Sequence, residues 1–150
     1  MLAVKEALLD HCKGIVANQL QNLQESIASY QDDLGSETKS SAGDKHETGR
    51  AMLQLEMEKL GKQMLEVQKM HQVLQSINLD QHSEKIHLGS LIFTDNMNFF
   101  LSVSLGKIVF EDQTFFAVSP SAPIGKLLLG KKAKDRISFN GITSTIQKIG

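Results

Sequence analysis

The sequence predicts an α+β chain in two parts: an antiparallel coiled-coil helical hairpin over residues 1–78, and a small antiparallel β domain with one short helix over residues 79–150. Three observations predict it. The first 78 residues contain no Pro and are rich in Leu, Gln, Glu, Lys and Met, which favour helix. Apolar residues there recur at alternating intervals of four and three, in two runs that mirror each other. All seven Phe lie after residue 90 and both Pro after residue 119, where apolar and polar residues alternate as in strands.

The first run is Val16, Leu20, Leu23, Ile27, Tyr30 and Leu34; the second is Leu53, Met57, Leu60, Met64, Val67 and His71. This spacing keeps one stripe of a helix facing a partner. Pairing 34 with 53, 30 with 57, 27 with 60, 23 with 64, 20 with 67 and 16 with 71 gives a constant sum of 87. A chain folded back on itself in register requires that relation, with the reversal between Gly43 and Asp44. Leu34-Gly35 reads as the end of the first helix, with glycine after it. Asp44 and Glu47 stand at the spacing of a capping box opening the second helix. That helix, from Asp44 to Asn78, would extend about 50 Å at 1.5 Å per residue. His71 reads as a tolerated histidine at the edge of its stripe.

Asn78-Leu79-Asp80-Gln81-His82-Ser83 is polar and aperiodic and reads as a linker. Beyond it, residues 86–93, 98–105 and 115–118 read as strands, with Asp95-Asn96 as turn residues. Ser119-Pro120-Ser121-Ala122-Pro123 introduces a short helix from Ile124 to Leu129, stopped by Gly130. Residues 136–139 and 142–149 form a closing hairpin about Asn140-Gly141, a pair suited to a two-residue turn.

Composition narrows the functional classes. No apolar stretch approaches the ~18 residues of a membrane span, and the charged N-terminus does not read as a secretory signal. The net charge of −1 argues against a protein that grips nucleic acid unaided. Residues 1–80 carry 8 Lys/Arg against 12 Asp/Glu, and residues 81–150 carry 8 against 5. The single cysteine, Cys12, sits in a helical apolar pattern and reads as a buried thiol of a cytoplasmic protein. His residues at 11, 46, 71, 82 and 87 show no metal-ligand spacing, and CxxC, HExxH, P-loop and GxSxG motifs are absent. A self-sufficient enzyme is hard to assemble from this inventory.

One constellation remains, Gly43-Asp44-Lys45-His46-Glu47. Two carboxylates three residues apart at a helix start can point the same way and suit a divalent cation such as Mg²⁺. Equally, Asp44 can be the N-cap and Glu47 its reciprocal partner, both favoured by the helix dipole. Their place at the far end of a long hairpin, where stability has least use for them, favours the metal. Lys39, Lys45, Arg50, Lys59, Lys62 and Lys69 could meet RNA phosphates or simply solvate the helices.

Gly43-Asp44-x-x-Glu47 resembles the tip motif of the Gre transcript-cleavage factors, GreA and GreB. The segment Ser119-Pro120-x-x-Pro123-Ile124-Gly125-Lys126-x-Leu128-Leu129-Gly130-Lys131-Lys132-x-x-Asp135 resembles their C-terminal signature. The resemblance covers essentially the whole chain, in the same order. It implies an FKBP-like C-terminal domain docked at the rim of the secondary channel of bacterial RNA polymerase, with the hairpin reaching the active site. Asp44 and Glu47 would then help hold the polymerase's second catalytic Mg²⁺ and position the water that cleaves backtracked RNA. Such a protein is a monomeric, cytoplasmic accessory factor rather than an enzyme, with no cofactor of its own and no membrane partner. Lys45 and Arg50 would be its RNA-facing basic residues, the nascent RNA 3′ end an indirect partner, and DNA binding a further expectation. Ser119, Pro120, Pro123, Lys126, Lys131 and Lys132 would carry docking, with Lys134 adding charge; alternatively Ile124, Leu128 and Leu129 are core and the lysines solvate the helix.

The sequence departs from the family at three places. Lys45-His46-Glu47-Thr48 stands where Ser-Glu-Asn is usual, Ala51 stands near a common tyrosine, and Lys134-Asp135 replaces Gly-Asp. A channel-occupying regulator without cleavage stimulation is therefore the second reading. An FKBP-like prolyl isomerase or chaperone and a plain dimerising coiled coil are the others.

Overall fold

The computed structural model describes residues 1–39 and 44–150, and the side chains of all of these except 37–39 and 44–47. Two long helices come first, α1 (Leu2–Lys39) and α2 (Asp44–Ser76). Strands β1 (Leu91–Thr94), β2 (Asn98–Leu101), β3 (Gly106–Phe110) and β4 (Gln113–Val118) follow. The short helix α3 (Pro123–Leu128) and strands β5 (Arg136–Phe139) and β6 (Ile142–Ile149) complete the chain. By contact it divides into two compact units, Gly14–His71 and Met1–Lys13 with Gln72–Gly150. The division falls inside both long helices rather than in the polar segment after residue 78.

Within the unit Gly14–His71 the helices form a hairpin whose burial follows the two stripes. Val16 and Val67 are buried, while Leu20, Leu23, Ile27, Tyr30 and Leu34 on α1 and Leu53, Met57, Leu60, Met64 and His71 on α2 are half-buried. Half-burial is what a two-helix seam allows, because each stripe is covered from one side only. Asp33 and Ser36 of α1 line one cleft with Met52, Leu53 and Glu56 of α2. That places residue 34 near residue 53, as the mirrored sequence demands. The expected helix end at Leu34-Gly35 is not observed: α1 runs on to Lys39. A Cβ at Gly35 would meet nothing within 4 Å, so the glycine fits an exposed helix interior without being needed as a cap. The reversal expected between Gly43 and Asp44 falls partly outside the described residues, although α2 does open at Asp44.

The β-rich unit is one six-stranded sheet in the order β3-β4-β2-β1-β6-β5. It is mixed rather than wholly antiparallel, because β2 and β4 pair in parallel. After β2 the chain reverses past the neighbouring place, forms β3, and returns through a hairpin as β4 in the gap. The sequence reading passed over β3. Its hairpin turns at Glu111-Asp112, whose φ values of 48° and 63° are those of a two-residue turn usually marked by Asn-Gly or Asp-Gly. The Asn140-Gly141 hairpin joins β5 and β6 as expected, with φ values of 53° and 77°.

The strands expected at 86–93 and 98–105 are shorter, Leu91–Thr94 and Asn98–Leu101. Gly89, at φ 94°, breaks the first, and a Cβ there would stand 2.8 Å from Ile77 Cγ2, so only glycine fits. The second ends at Leu101: Ser102 N still bonds Val118 O of β4 at 2.8 Å, and a bend over residues 102–104 then leads into β3. Ile86, Ile92, Phe99, Leu101, Leu128, Ile137 and Ile146 form one continuous core. Leu8, Cys12, Leu74, Phe100 and Phe115 are also fully buried in this unit. Each such large side chain stabilises by about 1.5–3 kcal/mol relative to exposure.

Candidate functional site

The segment from Ser119 to Asp135 is built around a close backbone approach. The Ser119 hydroxyl accepts from Ser121 N at 3.1 Å and pairs with the Ser121 hydroxyl at 2.8 Å, and Ser119 N bonds Ser104 Oγ at 3.2 Å. Ala122 N donates to Ser119 O at 3.1 Å, and Pro123, whose missing N–H costs nothing there, opens α3. Gly125 lies so close beneath this turn that a Cβ would collide with Ser119 O and reach Pro120 Cα at 3.0 Å. The Ser-Pro-x-x-Pro-x-Gly pattern is therefore the chemistry of a tight turn stacked on a helix.

Leu128 anchors α3 in the core, while Leu127 and Leu129 are exposed. Gly130, at φ 83°, ends the helix, and its N–H bonds Ile86 O at 2.9 Å. Lys131 O accepts from Ile86 N at 2.8 Å, and Lys132 N donates to Asp135 Oδ2 at 2.8 Å. These bonds hold the turn that presents the lysines. Lys126, Lys132 and Lys134 are exposed and Lys131 is half-buried. Lys134 takes the left-handed conformation, φ 77°. Ser119 and Pro120 are half-buried and Pro123 is exposed. Of the three apolar residues expected in the core, Leu128 is buried, Ile124 packs half-buried against it and Leu129 is exposed.

At the other end, Asp44, Lys45 and Glu47 lie in the opening turn of α2, but their side chains are outside those described. Arg50 follows on the same helix and is exposed. Among the described residues no three His, Cys, Asp or Glu converge as metal ligands. No helix among them is long and apolar enough to cross a membrane.

The sequence reading missed two concavities of the β-rich unit. One, of about 560 Å³, is lined by Met97, Phe99, Phe116, Ile124, Phe139 and Ile142, among others. The alternating pattern of these strands contained it, but only the sheet order brings the three Phe together. The other, of about 1110 Å³, is bordered by Met1, Leu2 and Lys5 as well as by Lys132 and Lys134. Nothing in the local pattern of residues 1–13 distinguished Lys5 from a solvated lysine.

No family model matches the chain, and no curated protein matches it. Among solved structures, the transcription factor Gfh1 aligns over 90% of this chain and 89% of its own, at 16% identity and a TM-score of 0.36. An overlap that loose leaves the function to be argued from the chain itself.

Proposed function

We propose that this chain is a Gre-type accessory factor of RNA polymerase, whose hairpin carries Asp44 and Glu47 to the polymerase active site. The observation that carries the reading is the mirrored pair of stripes, half-buried along α1 and α2, with those two residues in the opening turn of α2. A hairpin about one seam wide has little core of its own and suits reach more than enclosure. At the start of α2, two carboxylates would share a Mg²⁺ with the polymerase and orient a water for attack on the RNA phosphodiester. The metals stabilise the attacking and leaving oxygens, and this chain supplies ligands rather than a complete site. The Ser119–Asp135 segment supports docking, since its bonded turn presents Lys126, Lys131 and Lys132 beside the exposed Leu129.

RNA cleavage by backtracked RNA polymerase, with and without this protein, tests the proposal. Asn caps helices about as well as Asp but is a poor Mg²⁺ partner. Asp44→Asn should therefore abolish stimulated cleavage while leaving melting temperature and polymerase binding near wild type. Equal cleavage by Asp44→Asn, Glu47→Gln and wild type would leave the channel-occupying regulator in its place. That second reading draws on Lys45-His46-Glu47-Thr48 standing where the family has Ser-Glu-Asn.

A further inference from the structure

Lys5 is out of place as a surface lysine. It is only 5% exposed, and its ammonium makes no hydrogen bond or ion pair among the described residues. Its stem is enclosed, and the partial loss of hydration holds the ammonium below its ordinary range. A lysine under that burden calls for a counter-charge, or a reason to lack one.

Its side chain lines the open cavity of about 1110 Å³, together with Leu2, Leu79, His87, Lys132 and Lys134. Lys148 borders it too, but its Nζ is engaged 6.0 Å from the Phe93 ring centroid. Its negative neighbour is Glu84, and the Gly150 carbonyl at its border is bonded by Leu91 N at 3.1 Å. His87 holds Lys85 O and Ser90 Oγ within 3.1 and 3.2 Å of its Nδ1, while its buried Nε2 has no partner. The cavity also meets the N-terminus of α1, whose first turn carries no acidic residue. The first N–H groups of a helix lack helical acceptors and, with the dipole, attract anions. Lys134 adds a cation from a left-handed backbone position that glycine would occupy without strain. Its N–H, bonded to Ile146 O at 2.7 Å, fixes it there.

We propose that this cavity binds a small phosphate-bearing anion, with its phosphoryl oxygens held by Lys5, Lys132 and Lys134 at the α1 N-terminus and its remainder against Leu2 and Leu79. The volume is larger than phosphate alone needs and leaves room for a nucleotide-sized ligand. Nothing in this assignment depends on polymerase binding.

Calorimetric and NMR titration of the full chain with inorganic pyrophosphate and, separately, adenosine monophosphate tests it. Saturable binding of either probe is expected, with amide shifts at His87 and at residues 132–134. The probe that binds tells whether an inorganic or a nucleotide source is recognised. Lys5→Met keeps the stem and deletes the unpaired charge, so the unliganded melting temperature should hold or rise. Binding should weaken about tenfold or more, as loss of a charged hydrogen-bond donor does. Lys134→Gly relieves the backbone while removing a cation and should weaken binding in the same direction. The assignment is overturned by no saturable binding of either probe, or by unchanged binding in folded Lys5→Met. A lowered unliganded melting temperature in Lys5→Met would mark the lysine as structural and overturn it equally.

Discussion

Gly125 shows how one residue can set a local fold. It sits in a helix with an ordinary backbone, yet its missing side chain lets the Ser119-Pro120 backbone lie directly on α3. Gly125→Ala should lower stability by about 1–3 kcal/mol, as overpacking does, and a thermal or urea melt measures it. Cys12 is constrained differently. It is fully buried, and burial lifts its thiol from 9.0 to about 11, outweighing the opposing hydrogen bond from Ser102. Native protein should therefore react with a thiol reagent at pH 8 only as fast as it unfolds, whereas denatured protein reacts at once. The sign of the linkage follows from a folded pKa above the unfolded one. The stability of wild type relative to Cys12→Ala should be constant below pH 9 and decline as pH rises toward 11. Urea melts across that range read it directly.

At the level of elements, the hairpin rests on complementarity between two stripes, not on strong helix signals at its ends. Ile27 and Leu60 are both half-buried members of mirrored positions. Cysteines placed at 27 and 60 in a Cys12→Ser background should cross-link within one chain at low protein concentration. Predominantly intermolecular products on non-reducing gels would instead favour the dimerising coiled coil. Helix α1 runs past Gly35 to Lys39, and a single glycine in a helix interior costs only about 1 kcal/mol. Strand β3 went unseen because Gly106-Lys107-Ile108-Val109-Phe110 buries only Ile108, with Val109 exposed at the sheet edge. Its partner β4 decides its conformation, through five paired positions from Gly106 to Phe110. An edge strand of this kind takes its structure from pairing more than from its own pattern.

Across the whole molecule, the proposed function is divided between two places far apart in sequence, the start of α2 at Asp44 and the segment ending at Asp135. Their proposed roles can be separated by experiment. Reversing charge at Lys131 and Lys132 should weaken polymerase binding several-fold and steepen its loss at low salt, since rim charges act mainly on encounter. The same variant should melt near wild type, because Lys132 is exposed and Lys131 contributes its backbone carbonyl, not its charge, to the bond with Ile86. Unchanged binding would remove Ser119–Asp135 from the docking surface and leave its hydrogen bonds as purely structural.

The sequence by itself determined the hairpin, because a coiled-coil seam is a one-dimensional pattern: the positions that sum to 87 become half-buried or, at Val16 and Val67, buried. It determined the Asn140-Gly141 hairpin and the turn into α3 for a similar reason, since those conformations depend on residues adjacent in the chain. It also located the acidic pair, although the side-chain geometry there lies outside the described residues. Only the tertiary structure decided the parallel pairing of β2 with β4, the edge strand β3 and the grouping of residues 1–13 with the β-rich unit. These depend on which distant segments meet, and neither propensity nor period encodes that. Lys5 is the sharpest case: in sequence it is one lysine on an amphipathic helix, and its burial beside Lys132 and Lys134 exists only because residues more than a hundred positions away close around it.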